Sequence, residues 1–301
     1  MAGNPSQAAN RAPLEKIRQV SAVINPLAGS VPDDARARLD AVLSEFSVPV
    51  RYEIMDHDCE AACERARAHG SDAIIVWGGD GTLACALNTL GPDSPPILPL
   101  AGGTMNMLPK IVHDEAEDRE ACLRRVLRAP TVLELAAGEV EGHRFYVGAL
   151  LGGLTRLAAP REALRKADIV RAVAEFTESN AFGLDTPMHY HIDPDGTANG
   201  SDQAQALGIF LSDDPARPGF DVLAAAPENL FDLAYTGLTG LLDDWRRAAG
   251  VERVSARTVT VDALASTGLE ATLDGEPVTL ARNAKFELIE GAARLLAARK
   301  A

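Results

Sequence analysis

Three short loops rich in glycine and small polar residues are the segments of this chain best suited to bind phosphate. They are Asn25-Pro26-Leu27-Ala28-Gly29-Ser30, Gly78-Gly79-Asp80-Gly81-Thr82 and Ala101-Gly102-Gly103-Thr104-Met105-Asn106. Glycine lets backbone N–H groups approach an oxygen ligand, and Thr82 and Thr104 stand where helices are predicted to begin, which favours an anion. Asp80 is negatively charged, as phosphate is, and the two would repel each other. We therefore expect Asp80 to hold a ribose hydroxyl, a backbone amide or Mg2+. For any single loop, a tight strand-to-helix turn is the alternative.

Each of the three loops directly follows a predicted buried strand, in a region where apolar runs alternate with amphipathic helical segments. The strands are Gln19–Ile24, Val50–Met55, Asp72–Trp77 and Pro96–Leu100, and the helices are Pro32–Phe46, Cys59–His69, Leu83–Leu90 and Glu115–Arg128. Such alternation predicts βαβ units and a parallel sheet with helices on both faces. Loops after parallel strands emerge at one edge of the sheet, where ligands bind. We therefore expect the three loops to converge.

The chain changes character near residue 130, where strand-like segments become frequent. The strands are Thr131–Leu135, Arg144–Leu150, Met188–Ile192, Ala204–Leu211, Asp221–Ala226, Arg257–Val261, Leu269–Leu273, Ala284–Ile289 and Ala293–Ala297, and the helices are 160–176 and 231–249. This pattern predicts a mostly antiparallel sandwich or barrel. The predicted organisation is a disordered lead over residues 1–16, an α/β domain over 17–130 and a β-sandwich domain over 131–301. The last strands of the second domain are free to return toward the first.

The composition of the 301-residue chain limits its environment and its partners. A formal net charge of −14 argues against general binding to nucleic acid or anionic membrane. No apolar run reaches the roughly 18 residues of a membrane span, and the polar N-terminus lacks the apolar core of a signal peptide. Four cysteines, at 59, 63, 85 and 122, suit a reduced cytoplasmic protein. Zinc bound by Cys59, Cys63, His57 and His69 is the alternative to thiols buried as small apolar groups.

The three loops resemble the nucleotide-binding motifs of the diacylglycerol kinase catalytic family, which includes bacterial lipid kinases and the sphingosine and ceramide kinases. Residues 78–82 resemble its glycine-rich signature, residues 25–30 its first loop, and residues 103–106 its glycine-threonine-any-asparagine loop. The resemblance implies an α/β N-terminal domain like those of phosphofructokinase and NAD kinase, a β-sandwich C-terminal domain, and Mg-ATP as phosphoryl donor. The nucleotide-binding residues that it implies are Asn25, Pro26, Gly29, Ser30, Gly78, Gly79, Asp80, Gly81, Thr82, Gly103, Thr104 and Asn106.

A fourth motif, Asp274-Gly275-Glu276, lies near the C-terminal end of the chain. By themselves these residues predict a hairpin turn between two strands. The resemblance implies more, because the family carries a carboxylate pair of this kind on a turn facing the nucleotide, with the glutamate as general base. Asp274 and Glu276 are therefore the catalytic candidates, since transfer to a hydroxyl requires a group that accepts the hydroxyl proton.

Several positions depart from the pattern of the family. Met107 follows Asn106 where many members have aspartate, and Ala84-Cys85 stand where asparagine-glutamate is common. Residues 228–232 resemble only loosely the stretch that supports a metal in some bacterial members. These departures raise two questions: whether turnover is reduced, and whether the chain has a structural metal site.

Three segments of the C-terminal half bear on a lipid substrate or a metal. Residues 160–176 are basic and amphipathic, which suits either a membrane surface or ordinary packing on a domain. Gly148 to Thr155 suits an acyl pocket or a buried strand with a bulge. His189 and His191 lie two apart on a predicted strand, where an exposed polar face is the default and a metal role is the alternative.

Taken together, these features predict an ATP-dependent kinase that phosphorylates a hydroxyl of diacylglycerol or a related lipid alcohol, as in phospholipid biosynthesis. We expect a cytoplasmic protein that meets its lipid peripherally at a membrane surface, with its assembly, including a homodimer, left open. One alternative is an NAD kinase-type enzyme, which shares the glycine-rich signature but should carry an asparagine-glutamate pair that is not found. The other is a relative that binds nucleotide or lipid without turnover, which the departures at positions 84, 85 and 107 motivate.

Overall fold

The chain divides into two units in a computed structural model. The structure describes residues 8–14, 16–104, 106–113, 118–152, 155, 188–193, 199–204, 206–212, 219–225, 252–264 and 268–298. The first unit contains Met1–Ala137, Asp213–Pro218 and Ile289–Ala301, and the second contains Gly138–Ser212 and Gly219–Leu288. The division after Ala137 lies beyond the boundary predicted at residue 130 and falls inside the strand Pro130–Val140.

The first unit is built on a parallel sheet with helices between its strands. Its elements are β1 (Ala8–Pro13), β2 (Val20–Ile24), α1 (Ala35–Glu45), β3 (Val50–Ile54), α2 (Cys59–Ala68), β4 (Ala73–Gly78), α3 (Asp80–Leu90), β5 (Ile97–Ala101), α4 (Met107–Val112), α5 (Arg119–Arg128), and parts of β6 (Pro130–Val140) and β17 (Asn283–Ala298). The strand order is β17-β5-β4-β2-β3, and each of these pairs is parallel. β4 is buried along its whole length, as a central parallel strand requires. The predicted α/β fold of the N-terminal domain is confirmed.

Strand β1 differs from the prediction that residues 1–16 form a disordered lead. Its backbone pairs antiparallel with β6, where Pro13 lies opposite Thr131 and Ala8 lies opposite Leu135. Strand pairing satisfies backbone N–H and C=O groups whatever the side chains are. The polar composition of this segment therefore gave no indication of the pairing.

The second unit contains two antiparallel sheets. Its elements are the remainder of β6 and β17, β7 (His143–Phe145), β8 (Gly148–Gly152), β9 (Met188–Asp193), β10 (Asn199–Ala204), β11 (Ala206–Leu211), β12 (Phe220–Ala225), β13 (Glu252–Ala256), β14 (Thr258–Ala263), β15 (Leu269–Leu273) and β16 (Glu276–Leu280). One sheet has the order β10-β9-β14-β17, and the other has the order β13-β12-β11-β8-β15-β16. Buried side chains of both sheets form one cluster, in which Phe145 stacks on Phe220 and meets Phe286 edge-on, with ring centroids 6.0 and 6.3 Å apart. The predicted antiparallel β-sandwich is confirmed.

Three predicted strands of the C-terminal half have different limits in the structure. The predicted strand Arg144–Leu150 is divided into β7 and β8, because the N–H groups of Tyr146 and Val147 donate to a carboxylate instead. The predicted strands 284–289 and 293–297 are one continuous strand, β17. Its two halves belong to different units.

The helices predicted over 160–176 and 231–249, and the stretch 228–232, lie outside the described residues. In the part of the chain that the structure describes, no helix is long and apolar enough to cross a membrane. His189 and His191 lie on β9 and are half-buried.

Candidate functional site

The three predicted loops lie at the carboxyl ends of adjacent strands in the first unit. The first loop follows β2, the second joins β4 to α3, and the third joins β5 to α4. Because β4 lies between β2 and β5 in the sheet, the loops emerge side by side at one edge. The loops therefore converge as the sequence predicts.

Asn25 fixes the first loop to the second. Its side-chain Nδ2 donates to the hydroxyl of Thr82 at 2.9 Å, and its Oδ1 accepts from the N–H of Leu27 at 3.0 Å. Asn25 and Thr82 are both buried, so the bond between them is shielded from water. Pro26, Gly29 and Ser30, the other predicted residues of this loop, are exposed.

Asp80 fixes the second loop to the segment after the third. Its Oδ1 accepts from the backbone N–H of Leu108, in the first turn of α4, at 3.0 Å. A carboxylate at this position satisfies one of the N–H groups that the start of a helix leaves unpaired. Of the three partners predicted for Asp80, the structure shows the backbone amide.

Ser30 fixes the first loop to the third. Its backbone N–H donates to the carbonyl of Gly102, and its hydroxyl donates to the carbonyl of Gly103, both at 2.9 Å. Asn25 and Ser30 thus bond the first loop to the second and the third. Asp80 bonds the second loop to the helix that follows the third. The edge is thus a cross-linked framework rather than three independent turns.

The two glycine pairs lie against each other. A Cβ built on Gly103 would be 2.9 Å from the Cα of Gly79, and one built on Gly102 would be 3.0 Å from the Cα of Gly78. The N–H of Gly102 also donates to the carbonyl of Gly78 at 2.8 Å. Side chains at Gly102 and Gly103 would force the loops apart. We call this close contact of Gly78-Gly79 with Gly102-Gly103 the glycine cradle, because backbone meets backbone there with no side chain between.

Helix α3 begins inside the second loop. Gly79 is its N-cap and provides no side-chain cap, while Gly81 and Thr82 lie in the first turn. The N–H groups of this turn carry the positive end of the helix dipole. Thr82 therefore lies at a helix start, as predicted, and N–H groups at such a start suit an anion.

Asn106 gives the third loop its closed shape. It adopts a left-handed conformation, φ 51° and ψ 43°, which asparagine tolerates better than most residues. Its Oδ1 accepts from the N–H of Gly103 at 2.8 Å, and its Nδ2 donates to the carbonyl of Gly103 at 3.0 Å. Thr104, within this closed loop, is exposed. Met105 lies outside the described residues.

Arg119 contacts this framework, although it belongs to none of the motifs in the sequence. Its Nε donates to the carbonyl of Ala101 at 2.7 Å, and its Nη2 lies 3.4 Å from the hydroxyl oxygen of Ser30. Arg119 is the first residue of α5, inside a charged run that is typical of an exposed helix start. No local pattern distinguishes it from its charged neighbours.

Cys85, one of the departures from the family pattern, lies on α3 and faces Cys59 of α2. Its thiol contacts that of Cys59, which lies 4.0 Å from the sulfur of Cys63 and 3.7 Å from the carbonyl oxygen of Thr82. His69 is one of the four residues that the sequence offers as zinc ligands. Its Nε2 instead lies 2.7 Å from Glu53 Oε1. Within the described ranges, no group of three His, Cys, Asp or Glu side chains has metal-binding geometry.

The fourth motif forms a turn between β15 and β16 in the second unit. The carboxylate of Asp274 accepts three backbone N–H groups: Oδ2 accepts from Tyr146 at 2.7 Å, and Oδ1 accepts from Val147 and Gly148 at 2.8 and 3.0 Å. The N–H of Asp274 donates to the carbonyl of Gly148 at 2.9 Å. Asp274 thus anchors the turn to the start of β8. Glu276, the first residue of β16, is exposed.

Comparisons with known proteins agree with this arrangement. Residues 19–136 match the family model of the diacylglycerol kinase catalytic domain. None of the curated proteins matches the chain. A diacylglycerol kinase from Bacillus anthracis str. Sterne shares the fold with a TM-score of 0.62, covering 94% of this chain and 97% of that chain at 16% identity.

A second solved structure with the same fold is an NAD kinase from Archaeoglobus fulgidus in complex with ATP. Its TM-score is 0.52, and the match covers 92% of each chain at 16% identity. At these identities both likenesses concern the fold alone. The segment that matches the family model contains all three loops of the cross-linked framework. The resemblance predicted from the sequence is therefore confirmed: residues 19–136 of this chain are similar to the diacylglycerol kinase catalytic domain.

Proposed function

We propose that the chain transfers the γ-phosphoryl group of Mg-ATP to a hydroxyl of diacylglycerol or a related lipid alcohol. The observation that carries the proposal is the loop framework, in which Asn25, Asp80 and Ser30 hold three phosphate-suited loops at one edge. The match of residues 19–136 to a diacylglycerol kinase catalytic domain supports kinase chemistry. The fold shared with an NAD kinase solved with ATP supports a nucleotide as donor.

On the donor side, the N–H groups at the start of α3, beside the glycine cradle, are proposed to hold the phosphates of ATP. The contact of Gly103 with Gly79 supports this role, because a side chain at Gly103 would collide with the second loop beside these N–H groups. Mg2+ supplies charge neutralisation of the phosphate oxygens when it is bound. We propose that it is held chiefly by phosphate and water, as Mg2+ commonly is in kinases.

On the acceptor side, Glu276 is proposed to accept the proton of the lipid hydroxyl. The proposal is supported by the Asp274-Gly275-Glu276 motif and by the exposure of Glu276. Asp274, with its carboxylate on three backbone N–H groups, is proposed to hold the turn that carries this base. The lipid is proposed to be met peripherally at a membrane surface.

The proposal is tested by measuring ADP release from Mg-ATP by the purified chain. Micelles containing diacylglycerol, monoacylglycerol, a sphingoid base or ceramide are added one at a time, and NAD serves as an alternative acceptor. Lipid-stimulated ADP release supports the proposal and names the lipid. Stimulation by NAD alone would favour a nucleotide kinase, and ATP binding without any acceptor-dependent ADP release would favour a binding protein.

A further inference from the structure

Arg119 lies where the first and third loops meet in the first unit. Its Nε donates to the carbonyl of Ala101, the last residue of β5, at 2.7 Å. Its Nη2 lies 3.4 Å from the hydroxyl oxygen of Ser30, and that hydroxyl donates to the carbonyl of Gly103 at 2.9 Å. One guanidinium therefore contacts both loops.

The position of Arg119 is set by elements that are themselves well anchored. It follows the N-cap residue Asp118, whose side chain accepts from the N–H of Ala121 at 3.4 Å, and α5 buries its apolar face in the core of the first unit. The carbonyl of Ala101 also accepts from the indole N–H of Trp77, a buried side chain, at 3.2 Å. The guanidinium is thus hydrogen-bonded to a carbonyl that a buried side chain also holds.

We propose that Arg119 is a positioning residue of the nucleotide site. It keeps the first and third loops at the separation that a phosphate chain requires, and it places a positive charge beside them. The charge matters because the chain has a net charge of −14 and Asp80 lies in the same framework. This inference rests on the proposed function, since it concerns how ATP is held.

The two contacts of Arg119 call for arginine rather than lysine. A planar guanidinium donates in two fixed directions at once, from Nε and from Nη2. A lysine ammonium is a single charge on a flexible stem, so it preserves the charge but not the paired geometry. Comparing Arg119→Lys with Arg119→Gln therefore separates the contribution of charge from that of loop positioning.

The test measures the affinity of the folded chain for ATP and for adenosine by titration calorimetry. Arg119→Gln should weaken ATP binding by at least about tenfold, the usual effect of losing a charge-assisted contact, and should change adenosine binding by less than about twofold. Arg119→Lys should give an intermediate loss. The matched control is Arg124→Gln on the same helix, which removes an exposed ion pair with Glu45 and should leave ATP binding unchanged.

The outcomes separate this inference from the function beneath it. If the native chain binds ATP and Arg119→Gln binds it within about twofold, Arg119 is not a positioning residue. An equal loss for ATP and adenosine, accompanied by a lower melting temperature, would mean that the residue only supports the fold. If the native chain does not bind ATP, the proposed function fails and this inference fails with it. Partial recovery of ATP affinity in Arg119→Ala by added guanidinium ion is the expected positive result.

Discussion

The backbone N–H of Leu108 donates to Asp80 Oδ1 at 3.0 Å, so the acidic residue of the second loop caps the helix that follows the third. Asn25 with Thr82, and Ser30 with Gly103, complete the cross-links between the loops. Because all of these contacts lie in the first unit, changes in any one loop should be felt at the others.

We expect Asp80→Ala to weaken ATP binding and to lower the melting temperature of the chain, because α4 loses a cap worth about 1 kcal/mol. Asp80→Asn keeps a carbonyl oxygen that can accept from Leu108, so it should retain most of the stability. Thermal denaturation with and without ATP measures both effects. Equal melting temperatures for Asp80→Asn and Asp80→Ala would show that the cap is not the source of the loss.

Gly103→Ala should weaken ATP binding by about tenfold or more, because its Cβ would lie 2.9 Å from the Cα of Gly79 and would open the cradle. Gly70→Ala is the control. Gly70 has a positive φ of 66° and no neighbouring atom within 4 Å of the added Cβ, so it should lose about 1 kcal/mol of stability with ATP affinity unchanged. Equal ATP affinities for the native chain and Gly103→Ala would contradict a role of the glycine cradle in ATP binding.

The fold of the first unit could be predicted largely because its central strand, β4, is a continuous apolar run that ends in glycine. Residues Ala73–Gly78 are buried throughout and lead directly into the second loop. A strand of this kind in a βαβ pattern predicts a parallel sheet, and a parallel sheet predicts where its loops meet. The approximate positions of the loop residues, side by side at one edge of the sheet, therefore followed from the predicted parallel sheet.

The contacts that close the framework could not be predicted, because they join positions without a local signal. Arg119 belongs to a charged run, and its hydrogen bond to the carbonyl of Ala101 forms only in the tertiary fold. Asp274 occupies the turn that the sequence predicts. The partner of its carboxylate, the N–H of Tyr146, lies 128 positions earlier and has no local signal. Such partners follow from the tertiary fold rather than from periodicity.

Asp274→Ala should destabilise the second unit by about 3 kcal/mol, because three backbone N–H groups lose a charged acceptor and Tyr146 is fully buried. Urea unfolding measures the change. Glu270→Gln, at an exposed position of neighbouring β15, is the control and should stay within about 0.5 kcal/mol of the native chain. An unchanged unfolding midpoint for Asp274→Ala would rule out the anchoring role.

Cys59 should react slowly with alkylating reagents. The hydrogen bond with Cys63, together with burial, raises the pKa of Cys59 to about 12, so its nucleophilic thiolate is scarce at about pH 8. Iodoacetamide labelling followed by peptide mass spectrometry measures the rate, and the urea-unfolded chain is the control, in which Cys59 should label readily. Rapid labelling of Cys59 in the folded chain would contradict this environment.

Glu276→Gln should lower kcat for lipid-stimulated ADP release by about 100-fold or more, because glutamine keeps the size of the side chain and cannot accept the proton. Affinity for ATP should remain within about twofold of the native value. Steady-state kinetics and calorimetry together separate turnover from binding, with Glu270→Gln again as the control. Unchanged turnover would remove Glu276 from the role of base.

The destination of the γ-phosphate tests the proposed lipid kinase most directly. The purified chain is incubated with Mg2+, ATP labelled at the γ-phosphate, and micelles containing one lipid alcohol, and the products are then extracted into organic solvent. We expect the label in the lipid fraction, as a monoester that a phosphatase releases, and much less label with Glu276→Gln. Label that stays in the aqueous fraction with every lipid tested, while the chain binds ATP, would contradict phosphoryl transfer to a lipid hydroxyl.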